Sequence, residues 1–517
     1  MICRQLLIVI VLCVISCKGL NHHEAKEQLE MKDNSSSITK ALIFCALTSA
    51  LFIMIHFSYY DCVDAVRNSV NVWYALFDGD FLNYYSYTRY AEHEVTFPVF
   101  QMVHNGASYS YLVYLFFGIW LFPLYILERY LGINLFWHAW GVMYAKVGLI
   151  LVSIVNAFLL KKIIFKVTSD ERKADIAPLL YFTSPLFFSC TVVVGQLEAI
   201  TVMFMLFAFW YYIQGKNSLF LLFFAFAMPF KYFAFLAFIP LLILEEKNLL
   251  KIVGKTIVVI APTIVSSIIF FYDRHRYVGT MEGSNRPIGD NMLTLLADGM
   301  MSSGSTWKIG DISFNLFIVV MFLLWWWCYL QKATDKYDLA QKAFFASFIS
   351  MLSFLILFSP VYPYWCLLLL PFAIGSVLLN SNNVENVIAI ESIASISYLM
   401  WQFVNYYWVF GLYGMQCNVF LSEKAPYAIT GMSIRNYTDV IGSYLGISIT
   451  SLYLLGFGSL LLLSYISLAL LVFPKTSIKC CGEIKKSVIL MRFLSTALCM
   501  ILLISAVYFL MFYKNLI

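Results

Sequence analysis

The chain has 517 residues, of which 61% are hydrophobic and 12% charged, with a mean hydropathy of +0.80. A soluble domain carries about a quarter charged residues, so a water-soluble globular protein is excluded. The formal net charge of +5 is small and spread over lysine-bearing turns, which speaks against a nucleic-acid partner.

Residues 1–40 open with a signal-like stretch: Arg4, an apolar run over 6–15, then Ser16 and Cys17, with Val14-Ile15-Ser16-Cys17 fitting a lipobox. A cleaved signal leaves 21–40 outside and turns the next span inward, against the charge pattern below. Starting instead at Met31 puts Lys32 and Lys40 ahead of an apolar run, a normal cytoplasmic entry, and this reading is preferred.

Apolar runs long enough to cross a hydrocarbon core recur from there on. They lie near 41–57, 139–160, 176–194, 198–213, 217–229, 232–244, 252–271, 313–330, 343–358, 365–380, 385–401, 443–473 and 488–512. In lipid the backbone must satisfy its own hydrogen bonds, which selects helices. The expectation is an all-α, polytopic transmembrane bundle of about 11–13 spans. Lysine-rich segments separate alternate spans: Lys161 to Lys173, Lys216, Lys247 to Lys255, Lys332 to Lys342 and Lys475 to Lys486. Positive residues in short loops mark the cytoplasmic side. The run 111–127, with Pro123 inside it, reverses this pattern if it crosses, so it reads as an interfacial or membrane-dipping helix. The run 217–244 has lysines on both flanks and Pro229-Phe230-Lys231 in its middle, which predicts two short helices meeting near Lys231.

Left outside are 58–138, 272–312 and 402–442, the first a long outer loop carrying interfacial helices. These segments favour arginine (Arg67, Arg89, Arg129, Arg274, Arg276, Arg286, Arg435), which binds phosphate bidentately where lysine acts as a point charge. Of the 12 cysteines, Cys45, Cys190, Cys328 and Cys366 lie in apolar runs and read as small hydrophobes; neither a metal spacing nor a disulfide framework is implied.

Several motifs could carry chemistry. Asp61 and Asp64 stand just past the first span, three apart and so on one helix face. They read either as general-base carboxylates or as markers of a helix end in the interface. Asp78-Gly79-Asp80 imitates a metal motif, yet the glycine suggests a plain turn; a divalent metal is possible without being supported. Tyr84, Tyr85, Tyr87, Arg89 and Tyr90 offer half-polar rings suited to sugar stacking and to the lipid interface alike. Gln196 and Glu198 follow Gly195 at a tight turn between two spans, where a carboxylate is costly without a task. Lys231 is too deep in its run to snorkel, so it faces an aqueous cavity or pairs with an acid or a lipid phosphate. Asp273-Arg274-His275-Arg276 could clamp a phosphate or be an interfacial charge cluster. Ser359 to Trp365, with Pro360, Pro363 and Tyr364, suits a rigid wall or a turn in an aromatic belt.

Taken together these motifs resemble the GT-C superfamily of polytopic glycosyltransferases, over about residues 41–380. The resemblance rests on Asp64 in a long first outer loop, Ser184-Pro185 before Gly195 to Glu198, Lys231 in a proline-containing hairpin, and Pro363 with Trp365. Two departures stand out: Glu198 occupies a position where many members have Asp, and no double-acid metal motif is clear. Residues 381–517 match nothing in the family. The resemblance implies an inverting transfer of a hexose, mannose or glucose, from a polyprenyl-phosphate donor to a glycan, lipid or protein acceptor on the non-cytoplasmic face. Asp64 becomes the general base, with Asp61 as fallback. Lys231 and Arg274 or Arg276 hold the donor phosphate. Gln196, Glu198, the tyrosines of 84–87, Arg89, Tyr364 and Trp365 form the substrate cleft. The alternative is a transporter or flippase of lipid-linked sugars, which should show internal repeats; no two halves of the sequence resemble each other.

Overall fold

The computed structural model describes residues 57–88, 109–133, 139–273, 306–309, 311–358, 362–381, 384–405, 415–417, 434–474 and 490–497, with Ala107 and Val488, all within the unit His56–Ile517. The span expected at 41–57 falls almost wholly outside them, as do Arg89, Arg274, Arg276 and the side chain of Asp61.

The described part is all-α with minor strand, in the order β1 (Phe57–Tyr59), α1 (Tyr60–Phe77), α2 (Tyr111–Leu131), α3 (Ala139–Thr168), α4 (Glu171–Phe182), a π-helix (Phe188–Val194), α5 (Glu198–Ile213), α6 (Asn217–Phe230), α7 (Ala234–Glu245) and α8 (Leu249–Ile269). There follow the hairpin β2 (Thr306–Ile309) and β3 (Ile312–Asn315), then α9 (Leu316–Leu330), α10 (Lys336–Leu357), a 3₁₀ helix (Pro363–Leu368), α11 (Leu370–Asn380), α12 (Val384–Asn405), β4 (Met415–Cys417), α13 (Ile434–Leu445) and α14 (Ile449–Leu471).

Among the described residues seven helices are long and apolar enough to cross a membrane, and α4 with the bent segment after it, turned by 43°, makes an eighth candidate. α5, α6, α7 and α9 are shorter apolar helices. The stretch Pro363–Asn380 is wholly enclosed by its neighbours and forms the centre of the bundle, whereas α8 and α14 bury only 11% and 22% and present apolar side chains outward, as lipid-facing helices do. The run expected to be interfacial, α2, is a 21-residue helix and counts among the seven. Its length is therefore that of a crossing helix. It packs along α1, where Trp73 Nε1 donates to the carbonyl of Gly118 at 2.7 Å. A Cβ on Gly118 would lie 2.8 Å from the Ser69 carbonyl oxygen, so the close approach requires glycine.

The segments read as outer loops meet one another. β1 pairs antiparallel with β4, Phe57 opposite Cys417 and Tyr59 opposite Met415. Asp273, just past α8, accepts from the backbone N–H of Tyr85 at 2.6 Å and of Ser86 at 3.1 Å. Portions of 58–138, 272–312 and 402–442 thus gather at one end of the bundle. At the other end lysines close helix termini. Lys247 donates to the carbonyls of Ile243 and Cys328 at 2.7 and 2.8 Å, Lys342 pairs with Asp338 at 2.8 Å, and Lys161 pairs with Asp175. Among the described residues these lysines of the expected cytoplasmic segments lie near helix ends and in the turns between helices.

Residues on either side of 380 are joined as well. Arg492 forms a buried ion pair with Glu391 on α12 and donates to Ser392 Oγ at 3.1 Å; Thr496 donates to the Thr183 carbonyl at 2.6 Å.

Candidate functional site

The chain breaks its helices where the candidate residues stand. Pro229 lacks an N–H and its ring opposes the preceding turn. α6 ends at the next residue, Phe230, and Lys231 takes an extended conformation at φ −149°, ψ 110° before α7 begins. The two short helices expected around Lys231 are thus observed. On the facing side, Ser184 accepts from the Leu186 N–H and starts a new turn at Pro185. The chain then widens into the π-helix, a form often found at functional sites. Gly195 terminates it at φ +70°, and Glu198 opens α5 at that helix's positive N-terminus.

These two breaks bring opposite charges together. Lys231 Nζ lies 2.9 Å from Glu198 Oε1, with Glu198 fully buried and the lysine side chain 8% exposed. Three rings face the ammonium group: Tyr109 at 4.8 Å, Tyr364 at 5.6 Å and Trp365 at 5.7 Å. Trp365 is itself held by Phe233 at 4.5 Å and Tyr362 at 4.8 Å between ring centroids. Cation–π attraction strengthens when desolvated, so the rings and the carboxylate together offset part of the cost of burying the ammonium. Breaking such a pair by removing one partner typically costs about 3–5 kcal/mol.

A second lysine supports the turn from below. Lys146 on α3 is fully buried and donates to the carbonyls of Val192 and Val193 at 3.1 and 2.7 Å, the end of the π-helix. A Cβ at Gly195 would meet Lys146 Cε at 2.9 Å and Cys62 Sγ at 3.1 Å. Cys62 lies two residues before Asp64 on α1. The start of α1, with half-buried Asp64, therefore abuts the Gly195 turn that leads to Glu198.

The residues expected to line the site divide into groups. Glu198, Lys231, Tyr364 and Trp365 come together, and Gln196 is buried two residues before Glu198 in the same turn, while Asp64 stands half-buried on α1 two residues after Cys62. Tyr84 and Tyr85 lie in a core with Val72, Tyr111, Tyr114 and Phe270 instead of on a cleft wall. Their hydroxyls donate to the carbonyls of Asn68 at 2.8 Å and Tyr109 at 2.9 Å. Tyr87 donates to Asp78 at 3.3 Å, and burial together with that carboxylate pushes its phenol up to about 12. Asp78 also takes Arg129 at 3.2 Å, and Asp80 accepts from Asn83 at 2.7 Å, so Asp78-Gly79-Asp80 is a braced turn. Arg67 is spent on Glu128 at 3.4 Å, tying α1 to α2, and burial lowers its affinity for its proton. Among the described residues no group of three His, Cys, Asp or Glu stands close enough to hold a metal.

The fold and its charge layout define a multi-pass helical membrane protein with a charged, aromatic-lined break at one end of the bundle. No family model, no curated protein and no solved structure matches the chain.

Proposed function

We propose that the chain is a membrane glycosyltransferase that moves a hexose, mannose or glucose, from a polyprenyl phosphate to a hydroxyl of a glycan, lipid or protein acceptor. The site works on the non-cytoplasmic face, of the cell membrane in a bacterium or the endoplasmic reticulum in a eukaryote. The observation that carries the reading is the Lys231–Glu198 pair, 2.9 Å apart at a helix break beneath aromatic rings and beside the helix bearing Asp64. A lipid-borne donor suits this place, because its tail partitions into the bilayer and brings the phosphate to membrane depth.

In this mechanism the Asp64 carboxylate takes the proton from the acceptor hydroxyl. The oxygen attacks the anomeric carbon opposite the phosphate, the carbon–oxygen bond to phosphate breaks, and configuration inverts. The ammonium of Lys231 has three donors. One meets Glu198, and the others stabilise charge gathering on the departing phosphate in a dry setting. Arg274 or Arg276 assists at the phosphate. Glu198 aims the Lys231 ammonium, and Gln196 orients donor or acceptor.

A second reading, transport or flipping of lipid-linked sugars, is favoured by one observation: broken helices meeting at an intramembrane charge also build transporter sites. Incubating membranes that contain the protein with radiolabelled polyprenyl phosphomannose or phosphoglucose separates the two. Label in an acceptor, lost in Asp64→Asn at normal expression, supports transfer. Unchanged labelled lipid appearing in the opposite leaflet, with or without Asp64, supports the transporter.

A further inference from the structure

Three rings surround Lys231, but they are not equivalent. Tyr364 and Trp365 are 3% and 4% exposed and are stacked against Tyr362, Phe233 and Phe354. Tyr109, the nearest of the three at 4.8 Å, is partly exposed. It stands on the irregular stretch just before α2, outside any regular element that could fix its place.

Its backbone is fixed by side chains. The Tyr85 hydroxyl donates to the Tyr109 carbonyl at 2.9 Å, and the Tyr109 N–H donates to the Tyr114 hydroxyl at 3.1 Å. Both polar groups of one peptide residue are thus gripped by tyrosines from separate elements. Tyr85 is anchored in turn where its own N–H meets Asp273 at 2.6 Å. Next to Tyr109, Ser110 Oγ contacts Ser266 Oγ on α8 at 3.3 Å. Holding a residue this firmly in an irregular segment is costly in conformational entropy. The result is a ring whose aromatic face meets a buried ammonium while part of its surface stays open.

We infer that Tyr109 recognises the sugar ring of the lipid-linked ligand, and that Tyr85 and Tyr114 are positioning residues acting through it. The inference rests on the reading given under Proposed function and assigns within it the discrimination between a sugar-bearing lipid phosphate and a bare one. A flat, half-polar ring beside the phosphate-holding lysine offers a stacking surface to the carbon–hydrogen face of a pyranose. Lys231 holds the phosphate that both lipids share, whereas Tyr109 meets only the part that differs.

The test is equilibrium binding of two radiolabelled probes of equal tail length, polyprenyl phosphate and polyprenyl phosphomannose, to the full chain in nanodiscs; phosphoglucose is the third probe. Wild type prefers a sugar-bearing probe. Tyr109→Ala reduces that preference, read as the ratio of the sugar-bearing to the bare-phosphate affinity, about tenfold, and Tyr109→Phe restores it. Tyr85→Phe, which touches no ligand, lowers the preference in the same direction and adds nothing to Tyr109→Ala. A preference retained in Tyr109→Ala overturns the inference and leaves the wider reading standing, provided Lys231→Met weakens all probes. A wild type that binds none of them overturns both. Comparing probes on one preparation cancels any loss of folded protein.

Discussion

Arg492 donates from Nη2 to the carbonyl oxygen of Leu180 at 3.1 Å, spanning 312 positions of sequence to close the last turn of α4. The same guanidinium is paired with Glu391, whose carboxylate also accepts from Ser395 Oγ at 2.9 Å. The stretch leading to Ser184-Pro185 and Glu198 is therefore held by a residue far outside the segment that suggests catalysis.

Removing one partner leaves the other charge buried and alone. Arg492→Met and Glu391→Leu should each lower stability by about 3–5 kcal/mol, while the double substitution recovers most of the loss. Melting midpoints of the solubilised protein check this. A double variant as unstable as the sum of the singles contradicts it.

Lys146 supplies the donor to two buried carbonyls. Lys146→Met should cost about 1–3 kcal/mol for the acceptors left unanswered, and Lys146→Arg should cost less. Gly195→Ala should also destabilise. Its φ of +70° is unfavourable to L-residues by about 1–2 kcal/mol, and the new Cβ would press on Lys146 and Cys62. Thermal unfolding measures both, and a Gly195→Ala midpoint equal to wild type would sink the packing account.

Glu246 accepts from the Asn248 N–H at 3.1 Å and pairs with Lys255 at 3.4 Å. The backbone N–H first, and Lys255 second, hold its carboxyl below the ordinary value of 4.5. A depressed folded pKa stabilises above the unfolded value, and the contribution fades as pH falls through the folded one. Glu246→Gln should therefore melt below wild type at pH 6, with the gap closing below pH 4.5. A gap constant from pH 6 to 3 would refute this.

The Asp273 bonds tie Tyr85 and Ser86 to the end of α8, and Lys247 joins the far ends of α7 and α9, so Asn83 and Lys308, ahead of α9, fall at one end of the bundle and Lys216, at the end of α5 remote from Glu198, at the other. Single cysteines at these positions in a cysteine-free background, probed on sealed vesicles with an impermeant maleimide, should label in two classes. Asn83→Cys and Lys308→Cys react from one side and Lys216→Cys from the other. Reaction of Asn83→Cys from the cytosol would remove the proposed donor encounter.

The break at Lys231 was legible because proline, lysine and a reversed charge pattern coincide there. Lys146 obeys the same rule, a lone cation within an apolar run, and could have been found by it; no adjacent proline drew attention to it. Tyr84 and Tyr85 were read as cleft residues because composition shows an aromatic cluster without showing which way it faces. Their burial follows from packing against Tyr111, Tyr114 and Phe270, contacts no local pattern encodes. Tyr109 and the Arg492–Glu391 pair were missed for a like reason, since their meaning lies in partners distant along the chain.

The pairing of Tyr59 with Met415 also dictates an order of assembly. A ribosome adding roughly 5–20 residues per second exposes the first strand on the order of half a minute before its mate exists. Until then the edge beside Asp64 is unsealed, so a nascent chain cannot finish this end of the molecule early. Premature termination anywhere before β4 should yield a membrane-inserted but incomplete protein, a substrate for quality control instead of a folded product made in smaller amount.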